Sequence, residues 1–242
     1  MTETIETRGS GSQTYLSVHG SPSDRRVWEP LIPYAPHDVR LVLLDLPDHG
    51  EAPEEPTGRL APLEDAVVEA VEATDGELTI VGHSLGAWLV ASVSSRLPSR
   101  VTELIAVCGL PTLDEAGLAM RRELLGALKT GQLTGADVRA SMEALFFGDA
   151  ATPERLRVVA PMLDLSAEKW ARLAKRSVEL GEREPVAFDR PGRVIHASED
   201  QAVPLALGRD LAKRSGAALQ TIETSSHMLP LTHAAQLAQL IF

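Results

Sequence analysis

Along most of the chain, apolar runs of four to six residues alternate with longer stretches in which apolar positions recur every three or four residues. The runs at residues 14–19, 40–45, 78–81, 104–108, 193–197 and 219–223 are rich in apolar side chains, as strands covered on both faces should be. The stretches near 63–73, 85–96, 205–215 and 233–241 carry helical period. Strand and helix in alternation predict βαβ units, a mainly parallel sheet and an α/β fold. In such sheets ligands bind at the carboxyl ends of the strands.

The pattern changes between Leu110 and Pro185, where about 75 residues pass without a strand signal. Helix-period segments near 113–130, 135–147, 153–162 and 167–180 are separated by Gly131, Gly135, Gly148 and Pro153. This predicts a helical lid at 111–185, inserted before a late strand of a core built from 1–110 and 186–242. The lid's Met120, Leu124, Leu125, Met142, Leu145, Phe146, Phe147, Met162 and Trp170 cannot all face outward. Taken singly each suits packing, but together some must line a pocket beneath the lid. Leu124, Met142, Phe146 and Phe147 are the candidate substrate contacts, with Trp88 from the helix below.

Composition narrows the class. With 242 residues and 44% apolar side chains the chain can bury a substantial core, which excludes intrinsic disorder. No apolar run approaches the length of a membrane span, and residues 1–7 are acidic and polar, unlike a secretory signal. The single cysteine, Cys108, excludes an intrachain disulfide and lies in an apolar run, as a buried inert thiol would. A cytoplasmic protein is expected. The net charge of −11 argues against nucleic acid and against anionic membranes. Residues 113–185 carry 11 Lys and Arg against 12 Asp and Glu, so the deficit sits in the core. The basic pairs Arg121-Arg122 and Lys175-Arg176 suit solvated helix faces first, and a docking surface for an acidic partner second.

The candidate chemistry starts at Gly82-His83-Ser84-Leu85-Gly86, between the apolar run 78–81 and an apolar helical stretch. Gly-x-Ser-x-Gly between strand and helix is the signature of a nucleophile elbow, a strained turn that lifts the serine hydroxyl out of the sheet. The bland alternative is a glycine-rich turn with Ser84 capping the helix. A serine nucleophile needs a base, and the base needs an acid to orient it. On this kind of fold the chain order is Ser, acid, His. His227 follows the last predicted strand and can reach back over the sheet, whereas His233 opens the final helix, where capping is the simpler role. The acid should leave the strand at 193–197, which offers Asp200, with Glu199 as competitor. No Cys/His cluster has zinc spacing, and no glycine-rich dinucleotide fingerprint follows the first strand, so neither metal nor organic cofactor is expected.

With these motifs the chain resembles the α/β-hydrolase superfamily from His19 to its last helix. His19-Gly20-Ser21-Pro22 is similar to the family's His-Gly loop. Asp45-Leu46-Pro47-Asp48-His49-Gly50 resembles its D-x-P-G-x-G turn, with Asp48 where glycine is usual. Residues 199–204 are similar to the acid loop and place the acid at Asp200, and His227-Met228-Leu229-Pro230 resembles the histidine loop. Ala197-Ser198 stands where the acid loop commonly has glycine, and the short lead-in before residue 14 implies reduced edge strands. The resemblance implies an oxyanion hole formed by the backbone N–H groups of Leu85 and Ser21. The Ser21 hydroxyl either binds substrate or caps its loop, while His19, His49 and His83 read as structural.

The resemblance implies a serine hydrolase acting on a small-molecule carboxylic ester, most similar to small lid-bearing bacterial esterases, including those that demethylate pimeloyl carrier-protein esters. An acyl carrier protein is then a candidate partner. Thioesterases and lactonases use the same residues. Lyase, cyclase or perhydrolase chemistry on the same framework is the next alternative, and a binding protein without catalysis the third.

Overall fold

The computed structural model describes residues 4–242. Its strands are β1 (Ile5–Arg8), β2 (Gln13–Val18), β3 (Val39–Leu44), β4 (Leu78–His83), β5 (Val101–Val107), β6 (Gly192–Ala197) and β7 (Ala218–Ile222). They form one sheet in the order β1-β3-β2-β4-β5-β6-β7. All neighbours are parallel except β1, which pairs antiparallel with β3 at the edge. The six strands expected from apolar runs are present. The sequence reading missed β1, because Ile5-Glu6-Thr7-Arg8 holds one apolar residue and pairs on one side only.

Helices α1 (Ala61–Glu72), α2 (Leu85–Ser92), α7 (Leu205–Ser215) and α9 (Ala234–Ile241) flank the sheet, with the short α8 (Leu229–Thr232) before α9. A 3-10 helix, Arg25–Tyr34, was also missed: Pro30 and Pro33 break the helical period, yet Val27, Trp28 and Leu31 are buried. Alternate strand residues face opposite cores. Leu41 and Leu43 join Trp28 and α9 on one face, while Val42 and Leu44 join α1 and α2 on the other.

Between β5 and β6 the chain forms α3 (Glu115–Lys129), α4 (Gly135–Phe147), α5 (Pro153–Leu163) and α6 (Ala167–Glu182). Each opens on its own cap. Asp114, Thr134, Thr152 and Ser166 accept from the N–H of Gly117, Asp137, Arg155 and Lys169 respectively. Phe147, Met162 and Trp170 continue the core of the Trp28 face into the insertion, whereas Met120 faces solvent.

Helix α6 is tied to the core by charge. Asp48 is buried with φ 70°, a left-handed conformation that explains the glycine usual there. Its carboxylate accepts from Arg172 Nε at 3.1 Å and Nη2 at 3.0 Å, and from Arg176 Nη1 at 3.0 Å. Arg176, 1% exposed, also donates to Glu55 at 2.8 Å. No helix among the described residues is long and apolar enough to cross a membrane.

Candidate active site

The sheet reverses its direction of growth between β2 and β4, since β3 lies on one side of β2 and β5 on the far side of β4. A crevice opens at such a switch point, beyond the strand ends. The loop after β2 and the turn after β4 meet there. A Cβ on Gly20 would lie 2.8 Å from the Ser84 Cβ, so the backbone of the first loop passes directly against the serine.

Ser84 stands at φ 52°, ψ −116°, a conformation costly for any residue with a side chain. The surroundings impose it. Ser84 N–H donates to the Val107 carbonyl at 2.9 Å, and its own carbonyl accepts from Ala87 and Trp88 in α2. A Cβ on Gly82 would lie 2.5 Å from the Gly86 oxygen, and one on Gly86 2.3 Å from the Val18 oxygen. Only glycine allows helix and strands to close this tightly. The Ser84 side chain makes no capping bond, so the capping alternative fails and the hydroxyl is left for other work.

Four histidines frame the turn. His19 donates from Nδ1 to the Gly20 carbonyl at 2.7 Å and accepts the Leu46 N–H on Nε2 at 3.0 Å, joining the loops after β2 and β3. His49 donates to the Pro47 carbonyl at 3.0 Å, and its Nε2 lies 3.4 Å from the Ser21 hydroxyl. His83 donates from Nε2 to the His227 carbonyl at 3.0 Å, so it fixes the histidine loop rather than merely packing. Burial, reinforced by the His227 ring, pushes the His83 pKa down to about 3, which keeps it neutral.

His227 is buried, and its Nδ1 donates to Asp200 Oδ2 at 2.7 Å. The other Asp200 oxygen accepts the N–H groups of Ala202 and Val203, each at 2.9 Å. Burial works to raise the Asp200 carboxyl, but the His227 ring, its hydrogen bond and the Val203 N–H, with the His196 ring, outweigh it and hold it below the usual carboxylate value. Glu199 points to solvent, and His233 bonds its neighbour Thr232 at 2.9 Å, away from Ser84. Of the competing pairs, the fold joins Asp200 to His227.

The insertion is stitched to this loop. Phe146 accepts on its carbonyl from Met228 N–H and the Ser226 hydroxyl, each at 3.2 Å, and its ring lies 5.5 Å from that of His227. Asp149 accepts from the Ser225 hydroxyl at 2.7 Å.

Ser84, Leu85, Ser21 and His227 share the wall of one cavity of about 100 Å³ with Leu124, Met142 and Phe146. Two expected contacts lie elsewhere. Trp88 is fully buried; its indole donates to the Pro111 carbonyl at 3.1 Å, and the Arg183 guanidinium lies 5.5 Å over its ring. Phe147 faces a separate void of about 10 Å³ beside Pro22, His83 and Met228. Trp170, one of the lid residues of which some were expected to line a pocket, does line it, whereas the sequence reading missed Leu173 and Arg121. Arg121 stands one helical turn before Leu124, so the period that nominated Leu124 could have nominated it too.

Ligand atoms of His83, Cys108 and His227 lie within 4.8 Å of one another. Burial holds the Cys108 thiol far above its usual value, and His227 already serves Asp200, so this is a poor metal donor set.

Among curated proteins, the chain is 29% identical to the biotin biosynthesis bifunctional protein BioHC of Cellvibrio japonicus, over 93% of this chain and 45% of that protein. It thus spans less than half of that bifunctional relative. It is 26% identical to a pimeloyl-[acyl-carrier protein] methyl ester esterase of Neisseria meningitidis, over 94% of this chain and 75% of that protein. A solved hydrolase from Oleispira antarctica shares the fold with a TM-score of 0.84 at 16% identity, covering 98% of this chain and 92% of that one. A strained serine between strand and helix, a histidine loop and a seven-stranded sheet agree with the family model that matches residues 16–240, and the chain belongs to the alpha/beta hydrolase family.

Proposed function

We propose that this protein is a serine hydrolase that cleaves a carboxylic ester through an acyl-enzyme on Ser84. The observation that carries the reading is a hydroxyl with no capping role, on a strained turn, in one cavity with a histidine held by a buried carboxylate. Asp200 accepts a hydrogen bond from the Nδ1–H of His227, which fixes the tautomer and leaves Nε2 as the basic nitrogen. His227 removes the Ser84 proton during attack on the ester carbonyl, and Asp200 stabilises the imidazolium that results. Leu85 is the first residue of α2, where an N–H has no helical acceptor, and the Ser21 N–H follows the Gly20 backbone that touches Ser84. These two groups form the oxyanion hole, each worth about 3 kcal/mol in the transition state. His227 then gives its proton to the leaving alcohol, and water repeats the sequence to free the acid.

The insertion at 111–185 acts as a lid over this cavity. An ester borne by an acyl carrier protein is the substrate that the esterase relative's name suggests, with that carrier as partner. The reading places the enzyme in the cytoplasm. Thioesters and lactones call on the same residues, so the decisive experiment is a panel of p-nitrophenyl esters, thioesters and lactones, with a phosphonate probe read by intact mass.

The acid and base are separable in the same assay. Asp200→Asn should lower kcat by about 10⁴-fold through the wrong histidine tautomer. Glu199→Gln and His233→Ala should stay near wild type. The opposite ranking of Asp200 and Glu199, or a dead His233→Ala, would reassign the triad.

A further inference from the structure

The insertion contains eight arginines, and seven of them are bonded. Arg122 and Arg139 meet Glu182 and Glu143, Arg172 and Arg176 meet Asp48, and Arg183 meets Glu64. Arg155 and Arg157 donate to backbone carbonyls. Arg121 is the exception: among the described residues it makes no hydrogen bond or ion pair. It is partly buried on the wall of the cavity that holds Ser84 and His227, a wall without aspartate or glutamate. Burial alone pulls its guanidinium pKa down, and no acid holds it up. On the same wall Trp170 keeps an indole N–H without an acceptor.

A cation withdrawn from water without a partner lowers stability, and the chain's excess of acids offered ample means to pair it. A ligand that brings its own anion would complete the pair. The guanidinium fork matches a planar carboxylate with two parallel N–H bonds. The rest of that wall is largely aliphatic and aromatic, with Leu124, Met142 and Phe146. We propose that Arg121 binds a carboxylate at the far end of the acyl chain, so that the preferred substrate is a half-ester of a dicarboxylic acid. This rests on the ester-hydrolase reading of Ser84 and takes the free acid in place of a carrier-borne ester, whose far carboxyl would be tied up in the link to the carrier.

The test compares p-nitrophenyl half-esters of dicarboxylic acids, in a series of chain lengths, with neutral p-nitrophenyl esters of matched length. It uses wild type, Arg121→Met and Arg121→Lys. At the best length the half-ester should be preferred in kcat/KM, and Arg121→Met should cost about ten- to a hundredfold on the half-ester alone. Arg121→Lys, with the charge but without the fork, should fall between. The Arg121→Met protein should melt at or above wild type, because no internal bond is lost. Neutral esters hydrolysed as well as half-esters, or an equal loss on both, would overturn the anion site and leave the hydrolase standing. A response confined to phosphopantetheine-linked esters would replace the carboxylate with a phosphate. If no ester turns over, calorimetry with the free dicarboxylates still decides: binding lost in Arg121→Met upholds the anion site while the hydrolase reading fails.

Discussion

Ser84→Ala is expected to abolish ester turnover, by about a millionfold in kcat if serine, histidine and acid act as one unit. The phosphonate adduct should disappear from the intact mass in the same samples. Folding should survive, because the Ser84 side chain makes no capping bond whose loss would be felt. The backbone sharpens the test. At φ 52° every side chain is strained, so Ser84→Gly removes the penalty that Ser84→Ala retains. The glycine variant should be as inactive as the alanine variant yet more stable by about 1 kcal/mol in urea unfolding. A serine kept at a position where glycine folds better is kept for its hydroxyl. If Ser84→Ala turned over esters at a near wild-type rate, the nucleophile assignment would fail. If Ser84→Gly were the less stable variant, the claim of strain would fail instead.

What the sequence disclosed follows from how locally each feature is determined. The elbow was legible because three sterically forced positions, Gly82, Ser84 and Gly86, fall within five residues next to an apolar strand. The β2, β4, β5 and β6 strands were legible because burial on both faces demands apolar runs. The edge strand β1 needs no such run, and its antiparallel partner β3 lies more than thirty residues away in the register Ile5 to Leu44. Trp88 misled because α2 is buried nearly all round, so its pattern carries no direction; its indole bonds the Pro111 carbonyl and it is not part of the cavity wall. Arg121 was obscured for the opposite reason. Next to Arg122 it resembles a solvated pair; the helical period puts it on the face of Leu124, but that Arg122 meets Glu182 while Arg121 borders the cavity is visible in the fold. Asp48 was noticed as a departure from a glycine, but its partners lie 124 and 128 residues further on, beyond any local pattern.

Asp48→Asn is expected to be the largest purely structural loss, about 3 kcal/mol in urea unfolding at neutral pH, the lower range for breaking a buried ion pair. Asparagine tolerates φ 70° nearly as well as aspartate, so the backbone contributes little to that loss. What changes is charge. Arg176, almost without exposure, keeps only Glu55 as a carboxylate partner, and Arg172 keeps only the exposed Glu168. Burial works to raise the Asp48 carboxyl, but the two arginines prevail and hold it below its ordinary 3.8. Glu55 is likewise opposed by burial and brought down to about 2 by Thr57 and Arg176. Both carboxylates therefore bind protons more readily in the unfolded chain. Their stabilisation is complete at pH values above 4.5, the ordinary value for Glu55, and drains away as pH falls towards about 2. Wild type and Asp48→Asn should then differ most at neutral pH and converge in acid, as wild-type Asp48 takes up the proton that makes it resemble asparagine. Urea midpoints for both proteins between about pH 7 and pH 3 measure this directly. A gap that stays constant with pH would mean that Asp48 acts through shape rather than charge.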